Sequence, residues 1–336
     1  MHRFDHSNCD RLPRLRRGQW AWLIASLVLS TPTLSAQVLV PGTGQKVAQV
    51  GDDFEDPAWT YIFNLPKSSD ENDKQQHLPG GAAKNGRWFE GVMRGQPDLI
   101  KRVPTPEGGL AGSEGALLLR SQQTGVPGHY SGHFQQDDLI ISTVSRMGGA
   151  ISVARSPSCV VRVCLPPWDQ WERRGGPSFG IRASCQAYQT KQKSGLFGGS
   201  TTSLEPYWPG FFIHFAPGNG KDREDSAYLT IRAGTNGGDL SGPKITEPGW
   251  WTFGMSFPPD GRVQYFCHAG VDDLTSADLV TTQNPYGFRA EHFDTFFFNV
   301  VSGDNGNWST PWIIDDPTLY LGGRPEIVRR SNGQKR

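Results

Sequence analysis

His129 and His133 stand four residues apart in Gly128-His-Tyr-Ser-Gly-His-Phe134. At that spacing two side chains share one face of a helix or of a strand. Such a pair can offer a metal two nitrogen ligands, line the rim of a sugar-binding groove, or serve as solvated structural groups. The Gly and Ser around them indicate loop or strand, and the Glu of a helical zinc-protease motif is absent. Retaining glycoside hydrolysis needs two carboxyl groups about 5–5.5 Å apart. Glu291 and Asp294 are three residues apart, and a strand would send them to opposite faces. Asp53 and Glu55 have the right parity but sit on the opening strand of the body. No serine nucleophile elbow, phosphate loop or dinucleotide fingerprint occurs.

Aromatic residues are the better functional clue. Trp208 lies between Tyr207 and Pro209, and Trp308 closes the polar run Asp304-Asn-Gly-Asn-Trp308. Sugars stack their C–H faces on Trp or Tyr and pair their hydroxyls with Asn, Asp and Arg. Trp208, Trp308, Tyr207, His129 and His133 are therefore the candidate ligand-binding residues, with burial in the core as the alternative for each Trp. Adjacent Trp250 and Trp251 must point to opposite faces of a strand, so at most one is core.

The elements that must hold these side chains are strands. Gly (41) and Pro (25) make up about a fifth of the 336 residues, against roughly 12% in average proteins. That excess argues against a helical bundle, where each interior Gly costs about 1 kcal/mol and each Pro about 3. Short β-branched and aromatic runs recur, among them Val160–Cys164, Phe179–Cys185, Gly210–Phe215, Tyr228–Arg232, Trp250–Phe257, Arg262–Cys267, Phe296–Val301 and Trp312–Asp316. Pro258-Pro-Asp-Gly261 reads as a turn between two of them. Only Thr275–Val280 and Asp137–Ile140 look briefly helical. Without βαβ alternation or internal repeats, the pattern predicts an all-β protein: a two-sheet antiparallel jelly-roll β-sandwich with long Gly/Pro-rich loops.

Residues 1–36 read as a signal peptide, with five Arg, a short apolar run from Trp20 to Leu29 and small residues ending at Ala36. The run is too short for the roughly 20 residues of a membrane span, so export is expected, to the outside, the periplasm or the cell surface; a retained anchor is the alternative. Residues 37–50 read as a linker, 51–322 as the jelly roll and 323–336 as a flexible basic tail. The 33 basic and 33 acidic residues of the whole chain become 28 and 31 without the leader, a net charge of −3. A nucleic-acid partner, which calls for a basic excess, is not expected. Four cysteines then remain, and an oxidising compartment permits disulfides. Alternation turns Cys185 and Cys267 inward, and the pairing Cys185–Cys267 with Cys159–Cys164 is the first choice among three connectivities. Four buried thiols are the other reading.

Asp52-Asp-Phe-Glu55 followed by Trp59 near the start, and Trp312-Ile-Ile-Asp-Asp-Pro-Thr-Leu-Tyr320 near the finish, resemble the terminal strands of the concanavalin A-like, laminin-G-like and carbohydrate-binding-module jelly rolls. The resemblance implies neighbouring terminal strands and a structural calcium ion held by Asp52, Glu55 and Asp316, since calcium takes six to eight oxygen ligands. The E-x-D-x-(x)-E strand of that superfamily's glucanases is missing. Phe212-Ile-His214 and Tyr265-Phe-Cys-His-Ala-Gly270 resemble alginate-lyase signatures in part, which would make His214 the base and Tyr265 the acid. The leading expectation is a non-catalytic module that binds polysaccharide or an envelope glycan. A lyase or hydrolase using the same groove is the second reading, and a structural envelope protein the third.

Overall fold

A computed structural model describes residues 36–70, 77–126, 128–192, 199–221, 223–323 and 325–328. The leader, apart from Ala36, and the end of the basic tail, 329–336, lie outside the described residues.

Among the described residues, two large antiparallel sheets carry the fold. The eleven-stranded sheet runs β15 (Asp239–Ile245), β14 (Ser226–Arg232), β13 (Gly210–Ala216), β11 (Gly176–Gln192), β19 (His292–Ser302), β8 (Gln135–Ile141), β5 (Trp88–Glu90), β4 (Ala82–Ala83) and β3 (Tyr61–Ile62). Two short additions extend it: β12 (Ser200–Tyr207) on β11 and β9 (Ile151–Ser152) on β19. The eight-stranded sheet runs β18 (Leu279–Gln283), β17 (Val263–Ala269), β16 (Gly249–Ser256), β10 (Ser158–Leu165), β20 (Trp312–Leu321), β7 (Ala116–Arg120) and β6 (Leu99–Val103), with β2 (Gln45–Gly51) also on β20. The protein is a jelly-roll β-sandwich of the expected class.

Period-two alternation fixes which face of each strand is buried. Phe179, Ile181, Ala183 and Cys185 of β11 and Phe296, Phe298 and Val300 of β19 face inward from the larger sheet. Cys159, Val161 and Val163 of β10, Phe253 and Met255 of β16, and Trp312 and Ile314 of β20 face them from the smaller. Trp312 stacks on Phe179 with ring centres 4.8 Å apart, and Phe211 meets Tyr265 edge-on at 5.5 Å. Of the Trp pair, Trp251 packs against this core, while Trp250 lies on the far face under a loop and donates its indole N–H to the Glu107 carbonyl.

The sequence expectations meet several corrections here. Residues 37–50, expected to be a linker, contain β1 (Ala36–Leu39) and β2, and Val38, Val40, Val47 and Val50 are buried. β1 pairs with β21 (Pro325–Val328), which lies inside the segment expected to be a flexible tail. Val38 and Val40 pack on Val160, Phe266 and Leu274, so the entry segment covers part of the outer face of the smaller sheet. Asp137–Ile140, expected to be helical, lies in β8, whose inward Leu139 and Ile141 are core. At Thr275 the helical reading shrinks to a single 3-10 turn, Ser276–Asp278, closed by a Thr275 capping box.

The four body cysteines are free thiols. Cys159 and Cys164 are five residues apart on one extended strand, hence on opposite faces and roughly 16 Å apart. Disulfide Cα atoms lie within about 7 Å. Cys185 and Cys267 do face inward, from opposite sheets, and remain thiols. Burial pushes the Cys159 and Cys267 pKa up to about 12, so both thiols stay protonated in the core.

Candidate functional site

While the entry segment covers part of the smaller sheet's outer face, a groove opens on the outer face of the larger one. Its floor follows from the strand register. Arg232 pairs with Gly210, Gly210 with Arg182, Arg182 with Phe297, Phe297 with Ile140 and Ile140 with Phe89. This row crosses six strands with every side chain on the face away from the core. A neighbouring row runs Thr230, Phe212, Gly180, Asn299 and Asp138. Gly210 is required: a Cβ there would stand 2.5 Å from the Ile181 carbonyl oxygen.

The groove has a volume of about 480 Å³, within the 300–1,000 Å³ usual for ligand sites. One wall is the tight turn Gly91–Gly95, which donates from the Gly91 N–H to the Asp138 carbonyl of β8, accepts from the Asp138 N–H at the Gly95 carbonyl, and presents Val92, Met93 and Arg94. The other wall is Trp208, in the β12–β13 turn, with Tyr286 from the turn before β19. Tyr286 holds a left-handed backbone (φ 54°) and donates its hydroxyl to the Trp208 carbonyl at 3.2 Å. Left-handed backbone at a non-Gly residue stores strain of order 1–3 kcal/mol. Gly237 packs under that ring, and a Cβ there would come within 2.5 Å of it.

Arg182 is the least ordinary group in the groove. Its side chain is buried, lies over the rings of Phe212 (5.4 Å) and Phe297 (5.5 Å), and donates from Nη2 to the Trp208 carbonyl at 2.8 Å. Its Nε is buried with no hydrogen-bond partner. Burial pulls the guanidinium pKa down to about 10. Arg232 also lies over the Phe212 ring (5.0 Å) and forks onto Asp239. Asp138 accepts a short hydrogen bond from the Asn299 amide and an ion pair from Arg94 at 3.5 Å.

Of the residues singled out in the sequence, Trp208 lines this groove and is 38% exposed. Tyr207 turns away from it and packs on Tyr286 and Phe288. Trp308 is exposed on a separate loop, with the Arg120 guanidinium 5.4 Å from its ring. His129 and His133 are exposed on the loop before β8, outside the groove lining.

The lyase pair does not assemble. His214 lies on the open face of the larger sheet, two residues along β13 from Phe212, stacked on Tyr228 and bonded through Nε2 to the Thr230 hydroxyl at 2.9 Å. Burial lowers its pKa, keeping it neutral at neutral pH. Tyr265 points into the core from the smaller sheet, fully buried, with burial pushing its pKa well up. The alternation that turns Cys267 inward turns Tyr265 inward too, so it cannot serve as an acid in a groove on the opposite side of the sandwich.

The acids at the chain ends are committed to protein donors. Asp52 accepts from the indole N–H groups of Trp59 (2.9 Å) and Trp88 (3.1 Å) and from Asn85 (2.8 Å). Glu55 accepts from the Glu114 backbone, and Asp316 pairs with Lys46 and Arg162. Among the described residues no group of three or more His, Cys, Asp or Glu is placed to hold a metal ion. Donors where a cation would need lone pairs do not fit calcium.

Neighbouring Asp315 gives a pH prediction. Burial raises its pKa to about 6, despite the Ser113 hydroxyl donating to it at 2.9 Å. A carboxyl raised on folding is harder to ionise folded than unfolded, so it costs stability as pH rises from its unfolded value near 4 through 6. The melting temperature of the parent minus that of Asp315→Asn is expected to fall between pH 4.5 and 7. A constant difference would refute the assignment.

No protein-family model matches the sequence, and no curated protein matches it. Solved structures similar to it include a carbohydrate esterase, vb_24B_21, from the Shiga toxin-encoding bacteriophage phi24B. That protein shares 11% identity over 79% of this chain and 100% of its own, with a TM-score of 0.39. The potassium-bound carbohydrate recognition domain of Emp46p shares 12% over 70% and 89%, TM-score 0.33. The marine PL-14 alginate lyase from Aplysia kurodai shares 15% over 67% and 87%, TM-score 0.35. These are likenesses of fold alone. Among the described residues, no helix is long and apolar enough to cross a membrane.

Proposed function

We propose that this protein is an exported module that binds a polysaccharide or envelope glycan in the groove of its larger sheet, without cleaving it. The observation that carries the reading is the exposed Trp208 ring at the wall of a groove floored by Arg182, Arg232 and Phe297. A sugar stacked on that indole has guanidinium donors within its reach, from Arg94, Arg182 and Arg232, and the Tyr286 hydroxyl oxygen as an acceptor. Export rests on the leader expected over residues 1–36.

Trp208→Ala is expected to weaken retention on a bound polysaccharide about ten-fold, the equivalent of 1.4 kcal/mol. Trp308→Ala, outside the groove, is expected to leave retention unchanged. Affinity electrophoresis through polysaccharide-containing gels reads both, with circular dichroism to confirm folding. Unchanged retention of a folded Trp208→Ala variant would overturn the reading.

A further inference from the structure

The groove carries more positive charge than the protein around it needs. Arg94, Arg182 and Arg232 gather there, and two carboxylates answer them: Asp138 beside Arg94 and Asp239 beside Arg232. Arg182 is the one left over among these five charges. The residue is 4% exposed, and its guanidinium makes one hydrogen bond to a carbonyl and keeps a buried Nε–H without an acceptor. Burying a cation is costly unless an anion or a full set of acceptors meets it. The two aromatic rings over which it lies stabilise it in part. A guanidinium is a planar fork that matches a two-oxygen anion bidentately.

We propose that the groove selects an acidic sugar residue, whose carboxylate or sulfate seats against Arg182 between Arg94 and Arg232 while its ring stacks on Trp208. This rests on the glycan-binding reading above and names the class of glycan. An anion there balances the third guanidinium. An uncharged sugar leaves that charge as it is.

The test is affinity electrophoresis with two matched pairs: polygalacturonate against its methyl ester, and dextran sulfate against dextran. At least one acidic polymer is expected to retard the protein at least ten-fold more strongly than its uncharged partner, and the responding pair identifies the anion. Arg182→Gln is expected to abolish the preference. Arg232→Gln, on a partly exposed side chain that leaves the sheet interior intact, is expected to reduce it several-fold. Equal retention by charged and uncharged polymers, still dependent on Trp208, would overturn the acidic preference and leave glycan binding standing. An acidic preference that survives both Arg variants would also overturn it, as charge attraction elsewhere on the surface. Retention by none of the four would count against both proposals.

Discussion

Lys67→Met is expected to lower the unfolding free energy by about 3–5 kcal/mol, the usual cost of removing one partner from a buried ion pair. The Lys67 side chain is 4% exposed, and its ammonium donates to Asp137 at 2.6 Å, Asp98 at 3.1 Å and the Gln96 carbonyl at 3.3 Å. Burial works against that charge, but the two carboxylates outweigh it and raise the Lys67 pKa. Without the ammonium, the fully buried Asp137 keeps only the Ser121 hydroxyl at 2.6 Å and the Gly125 amide at 3.3 Å. Adding Asp137→Asn removes the orphaned charge and keeps an acceptor oxygen for the Gly125 amide, while the Ser121 hydroxyl can turn to accept from the new side-chain NH2, so the double variant is expected to be more stable than the single one. Urea unfolding at pH 7 measures both. A single variant within about 0.5 kcal/mol of the parent, the range of ordinary surface changes, would show that the pair carries no net stability. The effect reaches the groove as well. The Lys67 side chain packs under Gly95, and Glu90 receives the Ser68, Gly81 and Asn64 donors on the same segment. Together they hold the turn that carries Val92, Met93 and Arg94, so Lys67→Met should weaken glycan retention even where the protein remains folded.

Asp52→Ala is expected to cost about 2–6 kcal/mol, from ~1–3 kcal/mol for each of the two indole donors left without an acceptor. Trp88 is fully buried, Trp59 nearly so, and both rings enclose Phe54, which takes a left-handed backbone (φ 56°) to reach them. Asp52→Asn retains an acceptor oxygen and is expected to lose less than half as much. Calcium and chelators are expected to leave the parent's melting temperature unchanged. A fall with chelator that calcium restores would overturn the account of Asp52 as an acceptor for indoles and would put a cation at the chain ends.

How much of this was legible in the sequence depended on the range of the interaction. Alternation within one strand is local, so Phe179–Cys185, Trp250–Phe257 and Trp312–Asp316 could be read directly. The valines of 37–50 carried the same information, but Gly42, Gly44 and the polar residues around them read as an entry segment. The groove depends on register between strands distant in sequence. Arg182 and Arg232 stand fifty residues apart and meet across Gly210. Each was visible only as a charged residue at the outward parity of an otherwise apolar strand, a signal that could have flagged both. Trp208 was found because a Trp in a turn stands out on its own. Tyr286 and the Gly91–Gly95 turn gave no such sign, since a strained turn and a wall are products of tertiary packing.

The pairing of Ala36 with Val328 bears on how the protein would be displayed. Both ends of the described chain lie side by side, and β1 continues into Val38 and Val40, which rest on the outer face of the smaller sheet. The groove opens on the outer face of the other sheet. A tether at either end would therefore leave from the back of the sandwich. Coupled to a bead, a sensor chip or a neighbouring domain through that end, the protein would turn its groove toward the medium.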